Sequence, residues 1–350
     1  MALLRNLKLA LPLGLGVALL SPPSVPLQAQ LQPQAAQPVS FDGYLQLLAA
    51  RARREGVSEG TIARMTAGLT PNQRVIDLDQ AQPGANPNVQ PSFAGYFRNH
   101  IDSVRVSGGR SMLQQVSGFV PQIERDYGVP AKIVLAIWGH ETNYGRYKGD
   151  FDLARSLATL AWEGRRRDLF ADEFIALLKM VDRGVPRERL YGSWAGAFGN
   201  PQFLPSVYLR LARDGDGDGD ADIWNDRADT LASIANYFRD AGWRPGEPWG
   251  TRAIVPAGFD ATPVVTRLDA PSCPRVQARQ SAWKTVAEWR AMGVQPQGYL
   301  PDSTLAALIE PDGRGTGAFL LTGNYRVILQ YNCSNYYALS VGLLADEIAR

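Results

Sequence analysis

The stretch Ile133-Val134-Leu135-Ala136-Ile137-Trp138-Gly139-His140-Glu141-Thr142-Asn143-Tyr144-Gly145 constrains this chain more than any other. Pro130 suits the first turn of a helix and Gly145 its stop, so the spacing predicts one helix between them. Counting back from Glu141, Trp138 lies three residues away, Ile137 four, Val134 seven and Ile133 eight. These positions share one helical face, so the carboxylate sits on the apolar stripe. An anion there is costly, and the group is expected to hold a proton near neutral pH, the state a general acid needs. Ion pairs also place carboxylates in cores, and a structural Glu141 held by Arg146 or Arg155 is the alternative at this point.

A chain of 350 residues, 45% apolar and 20% charged, can bury a large core, with one main domain and appendages expected. The formal charge of +2 supplies no basic field for nucleic acid, and no nucleic-acid partner is expected. Two histidines, His100 and His140, and two cysteines, Cys273 and Cys333, are too few for the usual zinc sets. No G-x-S-x-G elbow is present, so triad chemistry is a poor fit as well.

Residues 1–29 read as a signal peptide, with Arg5 and Lys8 before the apolar run Leu9 to Leu20 and a cleavage point near Leu27-Gln28-Ala29. The run is too short for a good membrane span, and no cysteine near the cleavage point offers a lipid anchor. Export as a soluble protein is expected, with residues 30–39 as a Gln/Pro/Ala linker.

Two short helices are expected between Ser40 and Gly68, then a loop from Ala81 to Pro91, the segment Phe93 to His100, and a helix from Leu113 to Tyr127. Helices over Leu153 to Trp162 and Asp168 to Asp182 flank Arg165-Arg166-Arg167, read as a solvated turn. The segment Gly192 to Tyr208 mixes glycines, Ser193, Gln202 and aromatics, as a sugar-binding cleft wall needs; a tight structural turn is the alternative. A helix ending near Ala241 follows. Beyond Trp249, strands are expected at Arg252 to Val255, Val264 to Leu268, Phe319 to Leu321 and Tyr325 to Tyr331, the last two joined by a Gly323-Asn324 turn. Helices are expected at Ser281 to Met292, Asp302 to Ile309 and Asn335 to Ala349.

Asp214-Gly215-Asp216-Gly217-Asp218-Gly219-Asp220-Ala221-Asp222 matches the first half of an EF-hand loop, with oxygen ligands at positions one, three and five and glycine at six. Calcium is expected over magnesium, since the loop offers many flexible oxygens. Asn225 stands at the twelfth position in place of Glu, so the closing ligand must be Asp226 or Asp229. In an oxidising compartment Cys273 and Cys333 are expected to pair; two unpaired buried thiols are the alternative.

The combination Ala136-Ile137-Trp138-Gly139-x-Glu141-Thr142-x-x-Gly145, then Gly192-Ser193-x-Ala195-Gly196-Ala197-x-Gly199-x-x-Gln202-Phe203-x-Pro205-Ser206-x-Tyr208, resembles the lytic murein transglycosylase B family, glycoside hydrolase family 103. The likeness extends through the Asp-rich loop, Ala235-Asn236-Tyr237, Gly242-Trp243 and Tyr331-Asn332-x-Ser334-x-x-Tyr337-Ala338. It implies a mainly α (α+β) fold: an N-terminal helical region over 40–130, a lysozyme-like catalytic core with the EF-hand-like loop over 131–250, and a mixed α/β region over 251–350 completing the cleft. It also implies cleavage of peptidoglycan between N-acetylmuramic acid and N-acetylglucosamine in the periplasm, with a 1,6-anhydromuramoyl end and no water added.

By motif position Glu141 is the expected catalytic residue. Ser193, Gln202 and Asn332 are expected to hydrogen-bond the sugar, and Phe203, Tyr237, Tyr331 and Tyr337 to give it apolar and stacking contacts. The metal set implied is Asp214, Asp216, Asp218, Asp220 and Asp229, binding a structural Ca2+; Asp229 is favoured over Asp226 as closing ligand. One extra residue after Trp224 and the missing lipid-anchor cysteine depart from the family pattern. No organic cofactor is expected. A monomer is, with cell-wall synthesis or division proteins as partners beyond the glycan.

Ordinary glycosidases need two carboxylates flanking the bond, and the matching motifs offer one. A lone acid suffices when the N-acetyl oxygen stabilises the oxocarbenium-like centre and the muramic 6-hydroxyl attacks intramolecularly. A hydrolytic muramidase on the same fold would need Asp150, Asp152 or Glu163 as a second carboxylate. A non-catalytic peptidoglycan-binding protein is the remaining alternative.

Overall fold

Small polar residues start most of the helices, each accepting a backbone N–H that the first turn leaves unpaired. Ser40 does so for α1 (Phe41–Arg54), Ser58 for α2 (Glu59–Thr66), Ser92 for α4 (Phe93–His100) and Asp102 for α5 (Ser103–Gln115). Between α2 and α4 runs α3 (Gln73–Gln80). This computed structural model describes residues 39–82, 92–266 and 270–350. The expected signal peptide, nearly all of the linker and most of the loop to Pro91 lie outside the described residues.

The single helix expected over Leu113 to Tyr127 is two. α5 stops at Gln115 and α6 (Val120–Tyr127) begins afresh, with Pro121 in its first turn. Proline lacks the N–H an unbroken helix requires there. The chain continues through α7 (Ala131–Thr142), β1 (Phe151–Asp152), α8 (Leu153–Glu163), α9 (Arg167–Asp182), β2 (Tyr191–Gly192), α10 (Pro205–Leu211) and α11 (Arg227–Asp240). The arginine triplet is an anchor and not a solvated turn: Arg165 and Arg166 both pair with Asp79, which is 1% exposed, and Arg167 lies 4.9 Å over the Tyr44 ring.

The last third holds β3 (Gly250–Ile254), α12 (Pro274–Gln277), β4 (Lys284–Thr285), α13 (Val286–Ala291), β5 (Gln295–Pro296), β6 (Leu305–Ile309), β7 (Ala318–Leu321), α14 (Gly323–Tyr331) and α15 (Asn335–Ile348). The antiparallel sheet has the order β4-β6-β7-β3-β5. Several expectations are corrected here. Asp302 to Ile309 is not a helix: Leu305–Ile309 is an inner strand, buried on both faces from Ala306 on. Tyr325 to Tyr331 is not a strand but most of α14; Asn324 in its first turn bonds Arg244 and Glu247 and joins it to the preceding loop. The helix expected over Ser281 to Met292 shrinks to α13, whose Thr285–Glu288 capping box fixes its start; of the strand expected over Val264 to Leu268, the described residues end a 3-10 turn at Val264 and bridge from Val265 to Ser281, and the rest lies outside the described residues.

Three cores result. The first sets α7 against α15 with residues from α5, α6, α11 and α14. The second joins α1, α2, α8 and α9 to the segment from Phe198 to Trp224. The third lies between the sheet and α13. Cys273 and Cys333 form a disulfide with their Cα atoms 5.5 Å apart, tying the segment before α12 to the start of α15.

Candidate active site

The helix α7 is buried from Ile133 through Gly139 on nearly every side, as a helix apolar all round must be. Its N-terminus is held by the Glu124 carboxylate, which accepts Ala131 N at 2.5 Å. Its other end reverses abruptly: Asn143, Tyr144 and Gly145 take φ of 49°, 59° and 88°. That reversal folds Tyr144 back so that its hydroxyl donates to Arg105 O at 2.9 Å, close enough to Gly139 that a Cβ there would lie 2.6 Å from the hydroxyl oxygen. At Gly145 a Cβ would lie 2.7 Å from Asn200 Oδ1, so both glycines of the motif are required for close approach.

Glu141 thus occupies the last turn of a core helix, part-exposed as a residue but with its carboxyl group enclosed. Burial pushes that carboxyl up to about 7, and the hydrogen bond from the Tyr337 hydroxyl to Oε1, 2.5 Å long, pulls weakly the other way. The carbonyl end of α7 opposes a negative charge in the same sense as burial. Tyr337 is aimed by its own helix: Ser334 caps α15 by accepting Tyr337 N, which leaves the ring in the first turn and 5% exposed. Behind it stand His140, 5.2 Å from the Tyr337 ring, and His100, parallel to His140 at 5.6 Å. Burial pushes His140 down to about 3, so the ring next to Tyr337 is neutral.

The other expected substrate residues fall into two groups. Tyr331 donates to Pro201 O and meets the Tyr237 ring at a tilt of 58° with centroids 4.7 Å apart, while the Tyr237 hydroxyl donates to Gln330 O at 2.8 Å. Phe203, 2% exposed, packs beneath both rings at 5.9 and 6.2 Å, so it supports their faces. Asn332 follows α14 and is exposed. Across the turn, Ser193 Oγ accepts Ala197 N at 3.0 Å, and Gln202, with φ of 51°, donates its amide to Gly199 O at 3.0 Å and Lys148 O at 3.3 Å.

Among the described residues, burial and the Tyr337 hydrogen bond are the influences on the Glu141 carboxyl, with no second carboxylate acting on it. Asp152 caps α8 and pairs with Arg187; Glu163 accepts Arg165 N at 2.8 Å and Gln80 Nε2 at 3.3 Å. Both are committed elsewhere.

In the acidic loop, Asp214, Asp216 and Asp229 bring carboxylate oxygens within 4.8 Å of one another. Asp218 and Asp220 lie outside that group: Asp218 accepts Asp220 N at 3.0 Å, and both are exposed. Asp226 is spent as the N-cap of α11, accepting Asp229 N at 2.9 Å. Asp229, 1% exposed, reaches into the loop and is pushed up to about 6 by burial. An all-oxygen, anionic donor set of this kind fits a hard divalent cation such as calcium. Sequence reasoning missed Asn200, which meets α7, the acidic loop and α11 at once; its position between Gly199 and Pro201 carries no signal of those contacts.

The comparisons agree with one another. The membrane-bound lytic murein transglycosylase B of Escherichia coli K12 is 31% identical over 274 residues, covering 77% of this chain and 70% of that protein. The crystal structure of SltB3 from Pseudomonas aeruginosa in complex with NAG-anhNAM-pentapeptide matches at 38% identity and a TM-score of 0.79, covering 89% of this chain and 80% of that one. The E. coli lytic transglycosylase SLT35 in complex with calcium matches at 27% identity and a TM-score of 0.71, covering 87% and 92%. The mostly helical fold with small sheets is the lysozyme-like one of these domains. Residues 40–346 match the family described as the transglycosylase SLT domain, and to that family this chain belongs.

Proposed function

We propose that this protein is a lytic transglycosylase that cleaves the β-1,4 bond between N-acetylmuramic acid and N-acetylglucosamine in peptidoglycan, leaving a 1,6-anhydromuramoyl end, with Glu141 as its single acid/base. The observation that carries this reading is a carboxyl group raised to about 7 by burial, with no second carboxylate among the described residues acting on it. Glu141 gives its proton to the glycosidic oxygen as the C1–O bond breaks, and the sugar's N-acetyl oxygen takes up the charge at C1. The muramic 6-hydroxyl then attacks C1 and its proton returns to Glu141, so no water is consumed. Tyr337 holds the carboxyl in place through both steps.

Ser193, Gln202 and Asn332 contribute hydrogen bonds to the sugar beside the scissile bond. Tyr237 and Tyr331 contribute stacking surface, and Phe203 backs them. Asp214, Asp216 and Asp229 hold a structural Ca2+, which supplies the positive charge that lets three carboxylates share one site. Asp229→Asn is expected to weaken calcium binding at least tenfold by isothermal titration; undiminished binding heat would remove Asp229 from the site. Among the described residues no helix is long and apolar enough to cross a membrane. Export to the periplasm, where the substrate lies, goes with this reading.

The test is mass spectrometry of soluble products released from purified peptidoglycan by the wild type and by Glu141→Gln. Anhydromuropeptides from the wild type alone are expected, with a loss of at least ~10²-fold in the variant. Products heavier by one water would mean a muramidase. Equal release by both proteins would exclude Glu141 as the acid.

A further inference from the structure

Asn143 and Tyr144 are non-glycine residues in the left-handed region, so the turn that follows Glu141 needs support from outside the helix. Asn200 supplies it. Its carbonyl accepts the Thr142 hydroxyl at 3.1 Å, and that same hydroxyl accepts Gly145 N at 3.0 Å. Asn200 is 3% exposed; its backbone N–H and Nδ2 face the acidic loop and α11, while its Oδ1 lies against Gly145 with no hydrogen-bond partner among the described residues. Its N–H donates to Ile223 O at 2.8 Å; its Nδ2 donates to Thr230 Oγ1 at 3.0 Å and Trp224 O at 3.3 Å.

Those partners belong to the exit of the acidic loop. Asp222 Oδ1 accepts Trp224 N at 3.0 Å, and Asp229 ties the loop's two ends by accepting Asp222 N at 2.6 Å and Gly215 N at 2.7 Å. Thr230, next in the chain after Asp229, donates its hydroxyl to Asp226 O at 2.6 Å. An unbroken run of hydrogen bonds therefore leads from Asp229, through Asp222, Trp224 and Asn200, to Thr142, the neighbour of Glu141. A packed, hydrogen-bonded chain of this kind can carry a coupling between two sites.

We propose that Asn200 is a positioning residue that couples the acidic loop to the general acid. When Asp214, Asp216 and Asp229 are drawn together around a divalent cation, Asp229 fixes Asp222 to Trp224, those carbonyls fix Asn200, and Asn200 fixes the left-handed turn that aims the Glu141 carboxyl. The proposal rests on the reading of Glu141 as the acid and of the three aspartates as a cation site. It makes the cation's influence on catalysis conditional on a side chain that touches neither cation nor substrate.

The experiment compares wild type with Asn200→Ala in the full chain. It measures the calcium Kd by isothermal titration, and kcat and KM on soluble glycan strands with calcium or with chelator. In the wild type, chelation is expected to lower kcat about tenfold with KM within about twofold, a coupling in the usual range. With calcium present, Asn200→Ala is expected to have the kcat of chelated wild type and to respond less than about twofold to chelation. Its calcium Kd is expected to weaken about tenfold, since the variant loses the Nδ2 bonds that hold Trp224 O and Thr230, the residue next to Asp229. A variant that keeps the full calcium response of kcat, an unchanged calcium Kd, or a raised KM at unchanged kcat each overturns the proposal. Should Asn200→Ala show no cooperative unfolding transition, Thr230→Val, which removes the acceptor at constant volume, is read by the same criteria. If calcium-loaded wild type releases no anhydromuropeptides, the catalytic reading fails on its own, while the calcium Kd still judges the coupling.

Discussion

Glu141→Gln should make the protein more stable at alkaline pH while removing its activity. A Glu carboxyl ordinarily titrates at 4.5, and burial puts this one at about 7 in the folded chain. Between those values the folded state keeps a proton that the unfolded state has released. The folded state therefore binds more protons, and stability falls as pH rises across the window. The loss is absent below about 4.5 and complete above about 7. At 1.36 kcal/mol per decade, the interval from 4.5 to about 7 corresponds to about 3 kcal/mol, an upper value because the residue keeps one solvent-facing edge. Glutamine has the same shape, accepts the Tyr337 hydrogen bond and does not ionise, so the variant escapes this penalty. The assay is urea denaturation of both proteins from about pH 4 to about pH 9, reading the difference in unfolding free energy. That difference should open toward the variant as pH rises from about 4.5 and level off above about 7. A difference that stays flat across the window, or that opens in the opposite direction, refutes the desolvated acid.

Tyr337→Phe removes the one hydrogen bond that lowers the Glu141 pKa, so the alkaline limb of the pH–rate profile should move upward from about 7. Its kcat should fall roughly tenfold or more, in line with ~1.5–3 kcal/mol for a hydrogen bond to a charged group, and an unmoved alkaline limb would mean that the bond does not act on the acid. Replacing Cys273 and Cys333 by serine opens a link with a sequence separation of 60 and should cost up to ~4 kcal/mol by the loop-entropy estimate. A melting temperature equal to that of the wild type would contradict it.

The helix α7 was legible because a proline start is followed by an apolar run too long for a strand, although that run is buried on nearly every side and the helix stops at left-handed Asn143, two residues before the glycine expected to end it. The mixed region after Trp249 was less so. Leu305 to Ile309 is an apolar run buried on both sides, which erases the alternation that marks a strand. Tyr325 to Tyr331 is rich in β-branched and aromatic residues, yet it coils because Tyr325, Val327, Ile328 and Leu329 are all buried against α15 and α11, a tertiary demand that outweighs local preference. In the acidic loop, the alternation of Asp and Gly announces an acidic cluster able to hold a cation but not which carboxylates converge. That depends on Asp229 being carried inward by α11 while Asp226 is used up as its cap. Asn200 was invisible for the same reason, since its partners at Thr142, Trp224 and Thr230 are remote in the chain.

The way Glu141 is kept protonated bears on what can follow protonation of the leaving group. A carboxyl can be raised by a neighbouring anion or by burial. The first device leaves a carboxylate beside the sugar, able to steady a cation at C1 or to activate water. The second leaves neither. Here the raising comes from burial, and the nearest polar partner is a neutral tyrosine backed by a neutral histidine. An oxocarbenium-like centre formed in such surroundings has to draw its electrons from the substrate, which N-acetylmuramic acid supplies through its acetamido oxygen and then its 6-hydroxyl. The mode of desolvation thus selects intramolecular transfer over hydrolysis, and it predicts that sugars lacking the N-acetyl group bind this cleft without being cleaved.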